Sequence, residues 1–126
     1  MEKQVYASPD GAPAVGPYSP AVGVGDLVFA SGHIALDPDG KIHGYTPKDQ
    51  TRKALENLRL TLDAAGLTLA HVVKTTIFLK DMDEFGAVNE VYGEFFSEPY
   101  PARSTVEVAR LPKDLHVEIE AIAYRG

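Results

Sequence analysis

Residues 72–79 constrain this chain more than any other segment. Val72-Val73-Lys74-Thr75-Thr76-Ile77-Phe78-Leu79 is β-branched through its middle and reads as a strand. It is flanked on both sides by segments of helical period. Upstream, Ala54, Leu55, Leu58, Leu62 and Ala65 recur at helical spacing, leaving Lys48, Arg52, Lys53, Glu56, Arg59 and Asp63 to solvent. Thr46 can cap that helix, Pro47 suits its first position, Asp49 lies three residues after the cap, and Gly66 can end it. Downstream, Asp81 and Glu84 form a capping pair for a second helix, with Phe85, Val88, Tyr92 and Phe95 on one stripe. Pro99 and Pro101 stop it. A strand held between two amphipathic helices needs further strands to complete a sheet.

The two ends of the chain supply them. Prolines 9, 13, 17 and 20 punctuate the start, which reads as a short strand followed by an ordered loop. Ala21–Val24 and Leu27–Ser31 flank Gly25-Asp26, the signature of a tight hairpin, and Asp37-Pro38-Asp39-Gly40 is a second turn. Strands at about 103–108 and 115–124 follow, joined by a turn at Pro112-Lys113-Asp114. In the last, Leu115, Val117, Ile119, Ala121 and Ala123 alternate with His116, Glu118, Glu120, Ile122 and Tyr124. The order ββ(β)-α-β-α-ββ predicts an α+β fold in which both helices pack on one face of the sheet. With 126 residues and no linker, repeat or low-complexity stretch, residues 1–126 form a single domain. Apolar residues on both alternating faces of the strands predict that the face without helices is buried by self-association.

Composition narrows the function. Twelve basic and eighteen acidic side chains give a net charge of −6, so the summed field repels phosphate. Broad capture of nucleic acid or an anionic membrane is disfavoured. The absence of cysteine removes disulfides, thiolate nucleophiles and cysteine-ligated metals. The N-terminus has no apolar signal region and no run approaches the ~20 apolar residues that cross a bilayer. A cytoplasmic address is expected. His33, His43, His71 and His116 are scattered, without paired ligand spacing, so no metal is expected. Gly23-Val24-Gly25 lacks a dinucleotide-loop context, there is no P-loop, and no serine sits in a nucleophile elbow.

Two residues stand out. Arg103 heads a strand directly after Tyr100-Pro101-Ala102, and Glu118 sits mid-strand between Val117 and Ile119. A strand-held guanidinium with a nearby carboxylate suits recognition of a small carboxylate plus acid–base work on water. The plainer reading is a structural Arg–Glu pair pinning two strands, and composition alone favours it. Tyr18 in Gly16-Pro17-Tyr18-Ser19-Pro20 covers a pocket or packs on its own turn. Asn89 interrupts the stripe of the second helix, where an amide ordinarily bonds a neighbouring backbone.

The segments Gly16–Ala21, Phe29–Ile34, Val73–Thr76, Val88–Tyr92, Pro101–Ser104, Val106–Lys113 and Val117–Ala121 together resemble the RidA (YjgF) family, in order and over nearly the whole chain. Pro-Ala-Arg-Ser combined with the terminal Glu-Ile-Glu is the specific part. The resemblance implies a chorismate-mutase-like mixed sheet, a homotrimer with three clefts between subunits, and no cofactor. It implies hydrolysis of reactive enamine/imine intermediates such as 2-iminobutanoate and 2-iminopropanoate to 2-keto acids and ammonia. By the same resemblance Arg103 binds the substrate carboxylate and Glu118 works through water. Tyr18, Gly32 and Asn89 match pocket positions, Tyr18 arriving from a neighbouring subunit. Thr105 stands where many bacterial members carry cysteine, which excludes thiol chemistry but keeps a hydrogen-bonding hydroxyl. Two other readings stay open: a regulatory trimer that binds a small carboxylate without turning it over, and a single-strand ribonuclease, which the negative charge and the lack of a basic-aromatic surface disfavour.

Overall fold

In the computed structural model, which describes residues 2–126, one mixed sheet carries the whole fold. Its strands are β1 (Gln4–Tyr6), β2 (Ala21–Val24), β3 (Leu27–His33), β4 (Val72–Leu79), β5 (Ala102–Glu107) and β6 (Val117–Tyr124); the helices are α1 (Pro47–Ala64) and α2 (Phe85–Phe95). The spatial order is β1-β2-β3-β6-β4-β5. All neighbours are antiparallel except β4 and β5, which α2 joins as a parallel pair. The terminal strand is therefore inserted between β3 and β4, at the centre of the sheet.

Local chemistry sets the ends of these elements. Thr46 accepts from the Asp49 amide at the start of α1, with Pro47 following. Such a cap is worth about 1 kcal/mol. Gly66, at φ 75°, takes the left-handed position after the helix, and Gly25, at φ 59°, does so in the β2–β3 hairpin. Asp81 accepts from the Asp83 amide and starts a short 3₁₀ turn, Met82–Glu84, that leads into α2. Glu84 does not complete the expected capping pair. Its carboxylate instead accepts from His116 Nδ1 at 2.9 Å, tying the α2 entrance to the start of β6.

Both helices cover one face. Ala54, Leu55, Leu58 and Leu62 of α1 are fully buried against Val28, Ile77, Val117, Ile119 and Ala123. Each such leucine contributes roughly 1.5–3 kcal/mol by leaving water. The α1–α2 ion pairs Lys48–Glu90 at 2.9 Å and Arg52–Glu94 at 3.0 Å are exposed and each contribute at most about 1 kcal/mol. Burial, not the surface latch, holds the helices down. The buried stripe of α1 also holds Gln50, Thr51, Asn57 and Thr61, polar residues that helical spacing alone does not mark as inward.

The other face is bare of helices. Leu27, Phe29, Val106 and Tyr124 are 40–51% exposed there, with Phe78 and Ile122 beside them. Leu27 faces Tyr124 and Phe29 faces Ile122 across β3 and β6. The sequence-based expectation of apolar residues on both faces is met within this one chain.

Candidate functional site

Parallel register decides where Arg103 points. It lies beside Thr75, and neighbours in register on parallel strands share a face. Thr75 is fully buried under α2, its hydroxyl 2.7 Å from the Tyr92 hydroxyl. Arg103 is therefore on the helix-covered side, at the open edge where β5 has no further neighbour. Its guanidinium lies 4.8 Å from the Tyr92 ring centre and 5.5 Å from that of Phe85. Nη1 donates to Asn89 Oδ1 at 2.7 Å. Arg103 forms no ion pair among the described residues. Its remaining N–H groups are left to bind an anion. They border an open hollow of about 480 Å³ lined by Asn89, Tyr92, Gly93, Tyr100 and Pro101. Burial pushes the Tyr92 hydroxyl above its ordinary pKa, opposed by Thr75 and by the Arg103 charge, so the ring stays neutral beside the cation.

Glu118 lies on the opposite face. Its strand neighbours Val117 and Ile119 are buried toward the helices, so its own side chain emerges on the bare side. The carboxylate rests against the backbone of Gly32, where a side chain would begin only 2.6 Å from Glu118 Cδ. Gly32 sits in the irregular stretch where the β3–β6 register shifts between Ala30 and His33. Tyr18, Ser31, Ile34, Pro112 and Glu120 complete a second open hollow, of about 360 Å³. Burial, and then the like charge of Glu120, raise the Glu118 pKa above the ordinary carboxylate value. A carboxyl tuned upward in a hollow is suited to exchanging protons with water.

The two residues marked by the sequence thus do not meet in one chain. β4 separates their strands, and the sheet separates their side chains. Within one chain this excludes both the nearby carboxylate and the structural Arg–Glu pair. Asn89 bonds Arg103 rather than a backbone. Tyr18 is 46% exposed in a tight turn, its hydroxyl accepting from the Val15 amide at 3.4 Å. Gly32 and Tyr18 group with Glu118; Asn89 groups with Arg103. Thr105, two residues on from Arg103 and level with Ile77, shares the Arg103 face. Phe85, Tyr92 and Thr75 were legible only as core positions. Their signal was present, since two aromatics of one stripe precede an arginine on the next strand.

The four histidines stay apart, and no group of three metal-binding side chains occurs among the described residues. His33 is buried. Its Nδ1 donates to the Ser31 carbonyl at 2.6 Å, and Nε2 accepts from the Thr61 hydroxyl at 2.8 Å. Burial holds its pKa down, which favours this neutral form. The largest hollow, about 590 Å³, lies elsewhere, among Arg59, Leu67, Phe95, Phe96 and Pro99. Its charged residues are exposed and do not converge. No helix is long and apolar enough to cross a membrane among the described residues.

Comparison with known proteins places this geometry. The profile of the family described as Endoribonuclease L-PSP matches residues 10–125. A 2-iminobutanoate/2-iminopropanoate deaminase of Salmonella typhimurium is 48% identical over 115 residues, 89% of this chain and 90% of that protein. The crystal structure of E. coli TdcF with bound serine superposes with a TM-score of 0.91 at 43% identity, covering 98% of this chain and 99% of the other. RidA from the Antarctic bacterium Psychrobacter sp. gives a TM-score of 0.92 at 42% identity, covering 96% and 98%. A match over nearly the whole length by profile, sequence and fold has one meaning: the chain belongs to the Endoribonuclease L-PSP family, the RidA family of the resemblance above.

Proposed function

We propose that this protein is a cytoplasmic 2-imino acid deaminase that works as a homotrimer, each cleft pairing the Arg103 half-site of one subunit with the Glu118 half-site of the next. The observation that carries this reading is the unpaired Arg103 guanidinium, held on two aromatic rings and facing an open hollow. A fixed cation without a counter-ion is a receptor for a small carboxylate. Deaminase names among relatives near 48% identity supply the reaction class. The apolar bare face supplies a reason to assemble, and the division of the site supplies a need.

Arg103 forks onto the carboxylate of the imino acid and orients C2. Water held by Glu118 adds to C2, forming the C–O bond, while its proton passes through Glu118 to the nitrogen. Glu118 then carries the hydroxyl proton to the nitrogen as the C–N bond breaks, the C2 carbonyl forms, and ammonia leaves with the 2-keto acid. An imine is already electrophilic and hydrolyses slowly without help, so positioning and one acid–base group meet the demand. No cofactor is called on.

The direct test couples a threonine dehydratase, which releases 2-iminobutanoate, to measurement of 2-ketobutyrate. Addition of this protein is expected to accelerate its appearance. Binding of 2-ketobutyrate without acceleration would replace the enzyme by a carboxylate-binding module. Cleavage of a labelled single-stranded RNA, with no effect on the imine, would replace it by a nuclease.

Arg103→Ala is expected to abolish acceleration and to weaken keto-acid binding by tenfold or more, in the ~1.5–3 kcal/mol range of charged hydrogen bonds. Arg103→Lys keeps part of the binding and loses most of the turnover, because a point charge attracts the carboxylate without fixing its plane. Neither change strands a partner carboxylate, so melting temperatures stay close to wild type. Unchanged ligand affinity with a markedly lower melting temperature would make Arg103 structural.

A further inference from the structure

We propose that Asn57, buried on α1, is a positioning residue for Glu118 and acts through the backbone of residues 32–36. The inference rests on the catalytic reading of Glu118 for its kinetic consequence only; the structural part stands by itself.

The backbone after β3 is where the sheet fails to supply partners. His33 pairs with Ile119, and beyond it the chain leaves the β6 ladder level with Glu118. The Ile34 and Leu36 carbonyls therefore lose the strand that would have served them, and Ile34 keeps only a local bond from the Leu36 amide at 2.9 Å. Asn57 Nδ2 donates to both, each at 2.9 Å, and Asn57 is 1% exposed. One turn further along α1, Thr61 holds the His33 ring. Nearly two turns earlier, Gln50 Oε1 accepts from the His116 amide at 2.7 Å, two residues before Glu118. The inward polar stripe of α1 thus fastens the irregular backbone on one side of Glu118 and the strand entrance on the other. Glu118 itself lies against Gly32, inside the stretch so fastened.

Asn57 also lines a small cavity of about 30 Å³ together with Gly32, His33, Ile34 and Leu36, so its amide stands directly against the backbone it bonds.

The mechanism of action is steric and dielectric. With residues 32–36 fixed, the Gly32 backbone screens the Glu118 carboxylate from water. Release of Ile34 and Leu36 lets that backbone move away and hydrates the carboxylate. The titratable groups sharing its hollow are Glu120 on its own strand and Tyr18 from the loop before β2; its register partner on β4 is Phe78. Glu120 and Phe78 lie on the sheet face away from α1, and the small cavity that Asn57 shares with Tyr18 is lined between them by residues 31–34, so a shift on changing Asn57 is carried by that backbone.

The test compares Asn57→Leu with Leu62→Ala, a core truncation on the same helix chosen to destabilise without touching residues 32–36. Carboxyl-carbon NMR of the assembled protein follows the Glu118 titration midpoint, and the coupled imine assay follows kcat and KM. In Asn57→Leu the midpoint is expected to fall toward the ordinary carboxylate range by about half a unit or more, with kcat about tenfold lower and KM within about twofold. Leu62→Ala leaves the midpoint unchanged. If Asn57→Leu does not fold, Thr61→Val, which frees His33, carries the same test with a smaller shift in the same direction. A midpoint unmoved in a folded variant at either position, whatever the melting temperature, overturns the proposal. A shifted midpoint in Asn57→Leu combined with normal turnover in Glu118→Gln would instead overturn the catalytic reading and leave the positioning role intact.

Discussion

Two inactive variants, Arg103→Ala and Glu118→Gln, are expected to restore activity to each other when unfolded together in equal amounts and reassembled. The reason lies in the sheet: Arg103 faces the helices and Glu118 the bare side, so the proposed cleft takes one residue from each of two subunits. In a randomly mixed trimer, a cleft works when its Arg103 side comes from the Glu118→Gln chain and its Glu118 side from the Arg103→Ala chain. That combination has a probability of one half times one half, so about a quarter of wild-type activity returns. A site contained in one chain would give none. Equilibrium sedimentation of the same mixture supplies the second arm. A monomer at micromolar concentration, or a trimer with no recovered activity, sinks the shared cleft.

Glu118→Gln alone is expected to lower turnover by ~10²-fold or more, because an amide keeps shape and hydrogen bonding but does not exchange a proton. Product affinity, which depends on Arg103, should change little. The pH dependence carries a signature of its own. Burial and Glu120 raise the Glu118 pKa in the folded protein, so the folded state holds more protons than the unfolded one between the two values. The stability this group contributes therefore falls as pH rises from the ordinary carboxylate range through the raised one, and is constant above. Glu118→Gln removes that cost, so its melting temperature is equal to or above wild type at neutral pH, and the gap closes on acidification. In wild type, the excess rate over uncatalysed hydrolysis should rise with pH through the same window. A variant that is both slow and unstable at neutral pH would point to a structural carboxylate.

Most of the fold is legible because it is written in local chemistry. Thr46, Pro47 and Gly66 bound α1, and residues 72–79 form a strand with the limits read from β-branching. The alternation of residues 117–124 tells which side chains of β6 are buried. What alternation does not carry is strand order. Arg103 and Glu118 both stand out in the sequence, yet their relation depends on β6 being inserted beside β4 and on β5 running parallel to β4. Those are long-range facts. Side chains that serve distant backbone are equally hidden: Gln50, Asn57 and Thr61 look like solvent positions until the residues they bond, 66, 23 and 28 positions away, are brought beside them. The bond from Arg103 to Asn89 is hidden for the same reason, since the two lie on different elements.

Gly32 differs in kind from the glycines that permit turns. Here the missing side chain is the seat of an acid, and a methyl group would meet the Glu118 carboxyl carbon at 2.6 Å. The fold has a cheap remedy, because Glu118 borders an open hollow and can swing away. The chemistry has none. At position 32, a screen for folded protein should therefore accept alanine where a screen for turnover rejects it. Residues 32 and 118 form a single heritable unit: a lineage that gives up the glycine must first abandon, shorten or re-aim the acid, and one that has lost the acid is released to fill the space.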